Sequence, residues 1–290
     1  MAPETTVDWA PTLPEGRAIE LPGRGTTFVR DIAGTAADGA LPVVLLHGWT
    51  VTADLNWYPA YRPLAEQRRV LTIDHRGHGR GIRSRAPFTM DRVADDVAAL
   101  CQVLDIDRVI VAGYSMGGPI ALTTWQRHRD LVAGLVLCAT APIFGPGDRR
   151  WERTMRLASG AARFAPPGLT RAVSGRILGR RLDPDDRVGR WAASQVALGD
   201  PRAVAEAGLA LARFDGRAML ADVDVPTAVI ATLDDVTVPP VRQQRLVDGI
   251  PGARSFGVAG DHNACITNAA AFVPTLCDAV AAVASASSAG

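Results

Sequence analysis

The sequence predicts an α/β fold, in which a mostly parallel sheet of about eight strands is flanked by helices and carries an inserted helical segment. Continuous apolar runs, such as residues 42–46 and 108–112, are typical of strands that are buried on both faces. Segments with helical periodicity alternate with these runs, which indicates parallel strands joined by crossover helices. The alternation stops after residue 142 and resumes at 223. We therefore expect residues 1–142 and 223–290 to form the core and residues 143–222 to form a helical cap.

Composition indicates a globular protein with no strong global charge. The chain has 290 residues, of which 48% are hydrophobic and 21% charged, and its formal net charge is +1. Such a charge gives no field that would attract nucleic acid or an anionic membrane. No apolar run approaches the ~20 residues that span a bilayer. All 31 basic residues are arginine, and the lack of lysine excludes a Walker-type phosphate loop and a Schiff-base lysine.

The cysteines and the N-terminus suggest where the protein resides. The 4 cysteines lie singly in apolar runs without C-x-x-C pairing, so we expect buried free thiols in a reducing compartment. The first residues have neither the positive region nor the apolar region of an export signal. We predict a cytoplasmic protein.

The strands can be placed in chain order. A Pro-Gly-rich turn separates the first two runs, 17–21 and 26–32, and predicts a hairpin. Six further strands are predicted at residues 42–46, 69–73, 108–112, 134–141, 227–231 and 254–258. Helices are predicted at residues 58–67, 119–127 and 268–283. Two more are predicted, one that Thr89 caps and one that ends near Val247. The tail from residue 284 is expected to be frayed.

The predicted cap consists of helical patterns separated by proline-containing breaks. Apolar side chains, among them Trp151 and Met155, share one face of its first helix at spacings of four, three and four residues. One interpretation is packing among the cap helices and onto the core. The other is that Trp151, Met155 and Trp191 form the roof of a pocket.

The motif Gly113-Tyr114-Ser115-Met116-Gly117 places a serine between a predicted strand and a predicted helix. A G-x-S-x-G motif in this setting is typical of a nucleophile elbow. Glycines two places before and after the serine let neighbouring backbone approach a strained turn closely. We predict that Ser115 is a nucleophile.

A serine nucleophile needs a base within hydrogen-bond reach and an acid that orients the base. With a strand–serine–helix nucleophile, the order along the chain is serine, acid, histidine. His262, in the loop after the last predicted strand, is the histidine that fits this order. Asp234 and Asp235 both follow the 227–231 strand and are candidates for the acid. Weaker candidates are Asp148, at the cap entrance, and Asp261, beside the histidine.

Together these motifs resemble the α/β-hydrolase superfamily, specifically its capped esterase, lactonase and perhydrolase branch. The matching segments are His47-Gly48-Trp49, residues 74–79 (DHRGHG), the elbow, residues 235–239 (DVTVP) and residues 260–262 (GDH). The resemblance covers the chain apart from its N-terminal lead-in and its tail. In the family the catalytic aspartate precedes a proline by four residues, which favours Asp235. A glycine usually precedes the histidine directly, whereas Asp261 intervenes here.

The resemblance also implies an oxyanion hole formed by the backbone N–H groups of Trp49 and Met116. Side chains expected to contact the substrate are Trp49, Tyr114, Trp151, Met155 and Trp191. His75 and His78 have H-x-x-H spacing, but no further ligand is evident in the sequence, so we expect them to brace their loop. We predict no metal and no cofactor.

The resulting hypothesis is a serine hydrolase that cleaves carboxylic esters of small to medium acyl groups through an acyl-enzyme. Lactonases, C–C bond hydrolases, thioesterases and perhydrolases use the same triad, and the motifs do not separate them. A hypothesis of another class is a non-catalytic ligand receptor on the same fold. We expect a small-molecule ester or a related acyl compound as the partner, and we expect no binding to nucleic acid or to a membrane. Whether the chain forms a homodimer is left open.

Overall fold

The structure is a computed structural model that describes residues 9–35, 39–144, 149–164 and 187–288. Its strands form one 8-stranded sheet in the order β1-β2-β4-β3-β5-β6-β7-β8. The strands are β1 (Gly16–Leu21), β2 (Gly25–Ile32), β3 (Val43–Leu46), β4 (Val70–Ile73), β5 (Val109–Tyr114), β6 (Val132–Cys138), β7 (Thr227–Thr232) and β8 (Arg254–Val258).

The direction of the strands confirms the predicted mostly parallel sheet. β2 is antiparallel to both β1 and β4, as the predicted hairpin requires. From β4 to β8, every neighbouring pair is parallel. The carboxyl ends of these six strands therefore meet at one edge of the sheet, where loops from distant parts of the chain can combine into a site.

The helices of the described residues are α1 (Ala53–Trp57), α2 (Tyr61–Ala65), α3 (Met90–Val103), α4 (Gly117–Arg127), α5 (Arg149–Phe164), α6 (Arg187–Ala197), α7 (Pro201–Arg213), α8 (Pro240–Gly249), α9 (Ala264–Thr267) and α10 (Ala269–Ser287). Thr89 caps α3 as predicted, because its side chain accepts the Arg92 N–H. The predicted helix at 58–67 is instead a 3-10 turn followed by the short α2. No pattern in the sequence predicts α1.

Alternate residues of the central strands face two separate apolar layers. Val44 and Leu46 of β3 belong to the layer that contains residues of α3 and α4. Val43 and Leu45 of the same strand belong to the layer that contains residues of α10. Both faces of the sheet are therefore buried, which is why the strands read as continuous apolar runs.

Helix α10 corrects two expectations. It continues to Ser287 rather than fraying from residue 284, and the Ser287 hydroxyl donates to the carbonyl of Ala133 on β6 at 2.7 Å. With 19 residues, α10 is also long and apolar enough to cross a membrane by length and composition. This length contradicts the expectation that no apolar run approaches ~20 residues. Phe272, Leu276 and Val280 of α10 are nevertheless buried in the core.

Three described helices, α5, α6 and α7, lie within residues 143–222, the segment predicted as a cap. An antiparallel bridge joins Ile143, the first residue of this segment, to Asp215 near its end. Helix α7 lies against the loops after β3 and β4. The Trp49 indole N–H donates to the carbonyl of Val204 at 2.7 Å, and the Asp200 N–H donates to the carbonyl of Gly77 at 2.7 Å. The boundaries of this segment as a domain remain a prediction.

Candidate active site

Ser115 lies in a tight turn between β5 and α4, and its φ of 52° is in the left-handed region. A Cβ on Gly113 would lie 2.1 Å from the Gly117 carbonyl oxygen, and one on Gly117 would lie 2.2 Å from that of Leu46. Only glycine fits at these two positions without a shift of the backbone. The turn is braced further because the Ser115 carbonyl accepts from the Thr140 hydroxyl at 2.7 Å.

The structure brings Ser115, His262 and Asp235 together from three separate loops. His262 Nε2 is 2.9 Å from Ser115 Oγ, and His262 Nδ1 is 2.7 Å from Asp235 Oδ2. An ionised carboxylate only accepts hydrogen bonds, so Nδ1 carries a proton and donates it to Asp235. In the neutral ring, Nε2 is then the acceptor and faces the serine hydroxyl. This is the geometry of a general base that is directed at a nucleophile.

The Asp235 carboxylate is buried and surrounded by donors. Its Oδ1 accepts the N–H groups of Thr237 and Val238, each at 2.8 Å, and its Oδ2 accepts the Thr232 hydroxyl at 2.8 Å. Burial alone would raise the pKa of Asp235, but the hydrogen bond and charge of His262 and the other donors lower that pKa below its ordinary value. The carboxylate is therefore ionised at neutral pH.

The other acid candidates are occupied elsewhere or not described. Asp234 pairs with the histidine loop, since its Oδ2 accepts the Gly260 N–H at 3.0 Å and its own N–H donates to the Gly260 carbonyl at 3.0 Å. Asp261 Oδ1 accepts the Asn263 N–H at 2.9 Å. Asp148 lies outside the described residues. The geometry thus favours Asp235, as the Asp-to-Pro239 spacing predicts.

The two predicted oxyanion donors lie on loops that meet at Ser115. A Cβ on Gly48 would be 3.4 Å from Ser115 Cβ, which places the residue before Trp49 against the serine. Met116 directly follows Ser115 and occupies the N-terminal cap position of α4, where backbone N–H groups lack helical acceptors. The role of Trp49 and Met116 as donors remains a prediction.

Two of the predicted substrate contacts, Trp49 and Met155, have side chains that pack against the same part of α7, at Gly208. A Cβ on Gly208 would lie 2.7 Å from Cζ2 of Trp49 and 2.9 Å from the Met155 sulfur. Gly208 therefore allows both side chains to approach the helix closely. Trp151 belongs to α5, but its side chain lies outside the described part of the structure.

The structure places Tyr114 and Trp191 in buried packing positions. The Tyr114 hydroxyl donates to the His262 carbonyl at 2.9 Å, and its ring makes edge contacts with Trp57 and Phe272. Trp191 is 3% exposed and packs edge-on against Tyr58. Because neither ring has substantial exposed surface, we do not assign these two residues to the substrate pocket.

Three histidines form a buried cluster behind the loop of Gly48 and Trp49. The ring centroids of His47 and His75 are 4.0 Å apart, and those of His47 and His78 are 5.5 Å apart. Burial lowers the pKa of His47 to about 4 and that of His78 to about 3, and it lowers the pKa of His75 well below its ordinary value. Among the described residues no group has the arrangement of a metal site.

This cluster predicts a loss of stability in acid. The pKa of His47 is 6.5 ordinarily and about 4 in the folded protein, so between these pH values the unfolded chain binds protons that the folded cluster does not. The free energy of unfolding should therefore fall as the pH drops from 6.5 toward 4. Each histidine contributes a slope of about 1.4 kcal/mol per pH unit. Urea unfolding at several pH values measures this slope. His78→Gln should reduce the slope by the contribution of one histidine. An unchanged slope would contradict the prediction.

Sequence reasoning missed the residues that hold the triad in place. Thr232 and the buried Gln243 are linked by a hydrogen bond of 3.0 Å beside Asp235, and Asn56 accepts the Gly48 N–H at 2.8 Å. No motif marks these positions. Thr232 directly follows the predicted strand at 227–231 and comes just before the acid loop, which was the available signal.

A surface cavity of about 430 Å³ lies elsewhere, lined in part by Thr227, Pro251 and Arg254. These residues are at the amino-terminal ends of β7 and β8, whereas Asp235 and His262 follow the carboxyl ends. The cavity is therefore at the opposite edge of the sheet from Ser115.

Comparison with known families agrees with this geometry. The model of the alpha/beta hydrolase fold family matches residues 42–269, a span that contains Ser115, Asp235 and His262. The chain belongs to this family. The resemblance seen in the sequence motifs is thereby confirmed.

This α/β hydrolase is similar to several named proteins. A pimeloyl-(acyl-carrier protein) methyl ester esterase from Sodalis glossinidius is 33% identical over 255 residues, which cover 84% of this chain and 95% of the relative. The AB hydrolase superfamily protein YisY from Bacillus subtilis (strain 168) is 28% identical over 221 residues, 74% of this chain and 80% of the relative. The enol-lactonase structure from Burkholderia xenovorans LB400 has a TM-score of 0.76 and 26% identity and covers 91% of this chain and 100% of that one.

Proposed function

We propose that this hydrolase is a serine esterase that cleaves carboxylic esters of small to medium acyl groups through an acyl-enzyme. The observation that carries the proposal is the continuous chain from Ser115 Oγ through His262 to Asp235, with separations of 2.9 and 2.7 Å. The similarity to a methyl ester esterase over most of both chains supports an ester substrate.

In the proposed acylation step, Ser115 Oγ attacks the carbonyl carbon of the ester while His262 Nε2 takes the hydroxyl proton. Asp235 stabilises the imidazolium that forms, and it is suited to this because its carboxylate is ionised and buried against Nδ1. The backbone N–H groups of Trp49 and Met116 would bind the oxyanion of the tetrahedral intermediate. His262 then protonates the leaving alcohol.

In the proposed deacylation step, water attacks the acyl-enzyme with His262 as base, and the acid product and free Ser115 result. This chemistry uses no metal and no cofactor. Residues 143–222 would act as the cap, with Trp49 and Met155 near α7 forming walls for the acyl group. Such apolar walls would favour an apolar acyl group.

A lactone is the second candidate substrate. The enol-lactonase of Burkholderia xenovorans LB400 shares 26% of its sequence with this chain at a TM-score of 0.76. A lactone is a cyclic ester, so the same serine, base and acid would open it without a separate leaving group.

Turnover of a graded panel tests the substrate class. We expect p-nitrophenyl acetate and butyrate to give higher kcat/KM than the octanoate and dodecanoate esters, an acyl thioester and a δ-lactone. If the lactone exceeds every open-chain ester tenfold or more, the enzyme is a lactonase instead. If no acyl compound turns over while ligands bind, the proposal fails in favour of a receptor.

A further inference from the structure

Asn56 occupies a central position between two loops of the site. It belongs to α1, all of whose residues are buried, and it is 4% exposed. A buried amide must have its polar atoms paired. The partners of the Asn56 side chain therefore indicate what it does.

The carboxamide oxygen of Asn56 accepts the backbone N–H of Gly48 at 2.8 Å. A backbone N–H can only donate, so the side-chain atom that faces it must be the oxygen. This contact fixes the peptide between His47 and Gly48. The same contact holds Gly48 in the place where it meets Ser115.

The next peptide, between Gly48 and Trp49, is fixed from the other side. His47 Nδ1 lies 2.8 Å from the Gly48 carbonyl oxygen, which is an acceptor, so the ring nitrogen donates. In a trans peptide the N–H points opposite to the C=O, and the described residues contain no cis peptide. The Trp49 N–H therefore points away from the His47 ring. Asn56 and His47 together set the direction of this N–H.

The other end of the Asn56 side chain reaches α9, the short helix directly after the histidine loop. Its Nδ2 donates to the Cys265 sulfur at 3.3 Å, and Cys265 lies three residues after His262. Tyr114, directly before the nucleophile, donates to the His262 carbonyl at 2.9 Å. The loop of Gly48 and Trp49 is thus linked to the loop of His262 through one buried side chain.

We propose that Asn56 is a positioning residue that aligns the Trp49 N–H with the oxyanion. The inference rests on the proposed serine esterase function. The loss of its carboxamide oxygen leaves the Gly48 N–H buried without an acceptor, which favours a shift of the loop. Such a shift weakens binding of the tetrahedral oxyanion more than binding of the planar ester.

The test compares Asn56→Leu with Asn56→Asp, which keeps an acceptor oxygen for Gly48. We expect Asn56→Leu to lower kcat roughly 10- to 100-fold with KM changed less than about threefold, since one oxyanion donor is worth about 100-fold or more. The inhibition constant of an alkyl trifluoromethyl ketone, whose adduct with serine carries an oxyanion, should rise by the same factor. Asn56→Asp should recover most of both losses.

Two further variants separate this role from general packing. Cys265→Ala removes the partner of Nδ2 and keeps the Gly48 contact, so kcat should fall far less than in Asn56→Leu. Asn56→Ala replaces Asn56→Leu if the larger side chain does not fold, with the same expected losses. All rates are measured well below the melting temperature of each variant.

The outcomes are distinguishable. Folded Asn56→Leu or Asn56→Ala with wild-type kcat and wild-type ketone affinity would overturn the inference and leave the esterase function standing. Equal losses in Asn56→Asp and Asn56→Leu would also overturn it. A wild type that neither hydrolyses esters nor binds the ketone would refute the proposed function itself.

Discussion

Replacement of Ser115 by alanine is expected to lower kcat/KM on p-nitrophenyl acetate by roughly 10⁴- to 10⁶-fold, the range seen when a serine nucleophile is lost. The reason is that His262 Nε2, now 2.9 Å from the serine oxygen, would have no hydroxyl to activate. The residual rate would come from the oxyanion donors and from substrate binding. Steady-state kinetics at neutral pH measure the effect.

The fold should tolerate this change, because alanine is smaller and Gly113 and Gly117 still provide the space for the turn. A melting temperature close to that of wild type checks this point. Ser288→Ala, at an exposed position just after α10, is the matched control and should keep full activity. Activity of Ser115→Ala within tenfold of wild type would mean that another group is the nucleophile.

Asp235→Asn is expected to lower kcat by about 10³- to 10⁴-fold, although asparagine has almost the same shape. The amide can turn a donor toward His262 Nδ1, which favours the tautomer whose proton is on Nε2. That tautomer cannot accept the proton of Ser115. The loss should appear in kcat for esters with good and poor leaving groups alike.

Asp234→Asn is the matched control, one residue away and of identical chemistry. Its amide oxygen can still accept the Gly260 N–H that Asp234 accepts at 3.0 Å, so we expect a change of less than about threefold. If Asp234→Asn were the more damaging substitution, the acid assignment would be reversed.

Much of this architecture can be predicted from the sequence, because the strands are short apolar runs with clear boundaries. The run at 254–258 became β8 (Arg254–Val258) with identical ends. The elbow, the acid loop and the histidine loop each follow a strand, so chain order and parallel topology were sufficient to predict that they meet. In the sequence, only the spacing to Pro239 favours Asp235 over Asp234 as the acid. The structure likewise places Asp235 beside His262.

The residues that sequence analysis missed or misplaced depend on long-range contacts. Asn56 lies in a five-residue helix, too short for a periodic apolar pattern, and its partner Cys265 is 209 positions away. Tyr114 sits beside the nucleophile in sequence, but alternation along β5 turns its ring into the layer of Trp57 and Phe272. Trp191 packs against Tyr58, a contact that helical spacing does not reveal.

Covalent labelling of Ser115 is the direct test of its role as the nucleophile. We expect an alkyl fluorophosphonate to add one phosphonyl group per wild-type chain, measured as the mass of the intact protein, with the adduct on the peptide that contains Ser115. Ser115→Ala should show no adduct, and His262→Ala should label far more slowly. A folded wild type that remains unlabelled, or equal labelling of Ser115→Ala, would contradict the assignment of Ser115 as the nucleophile.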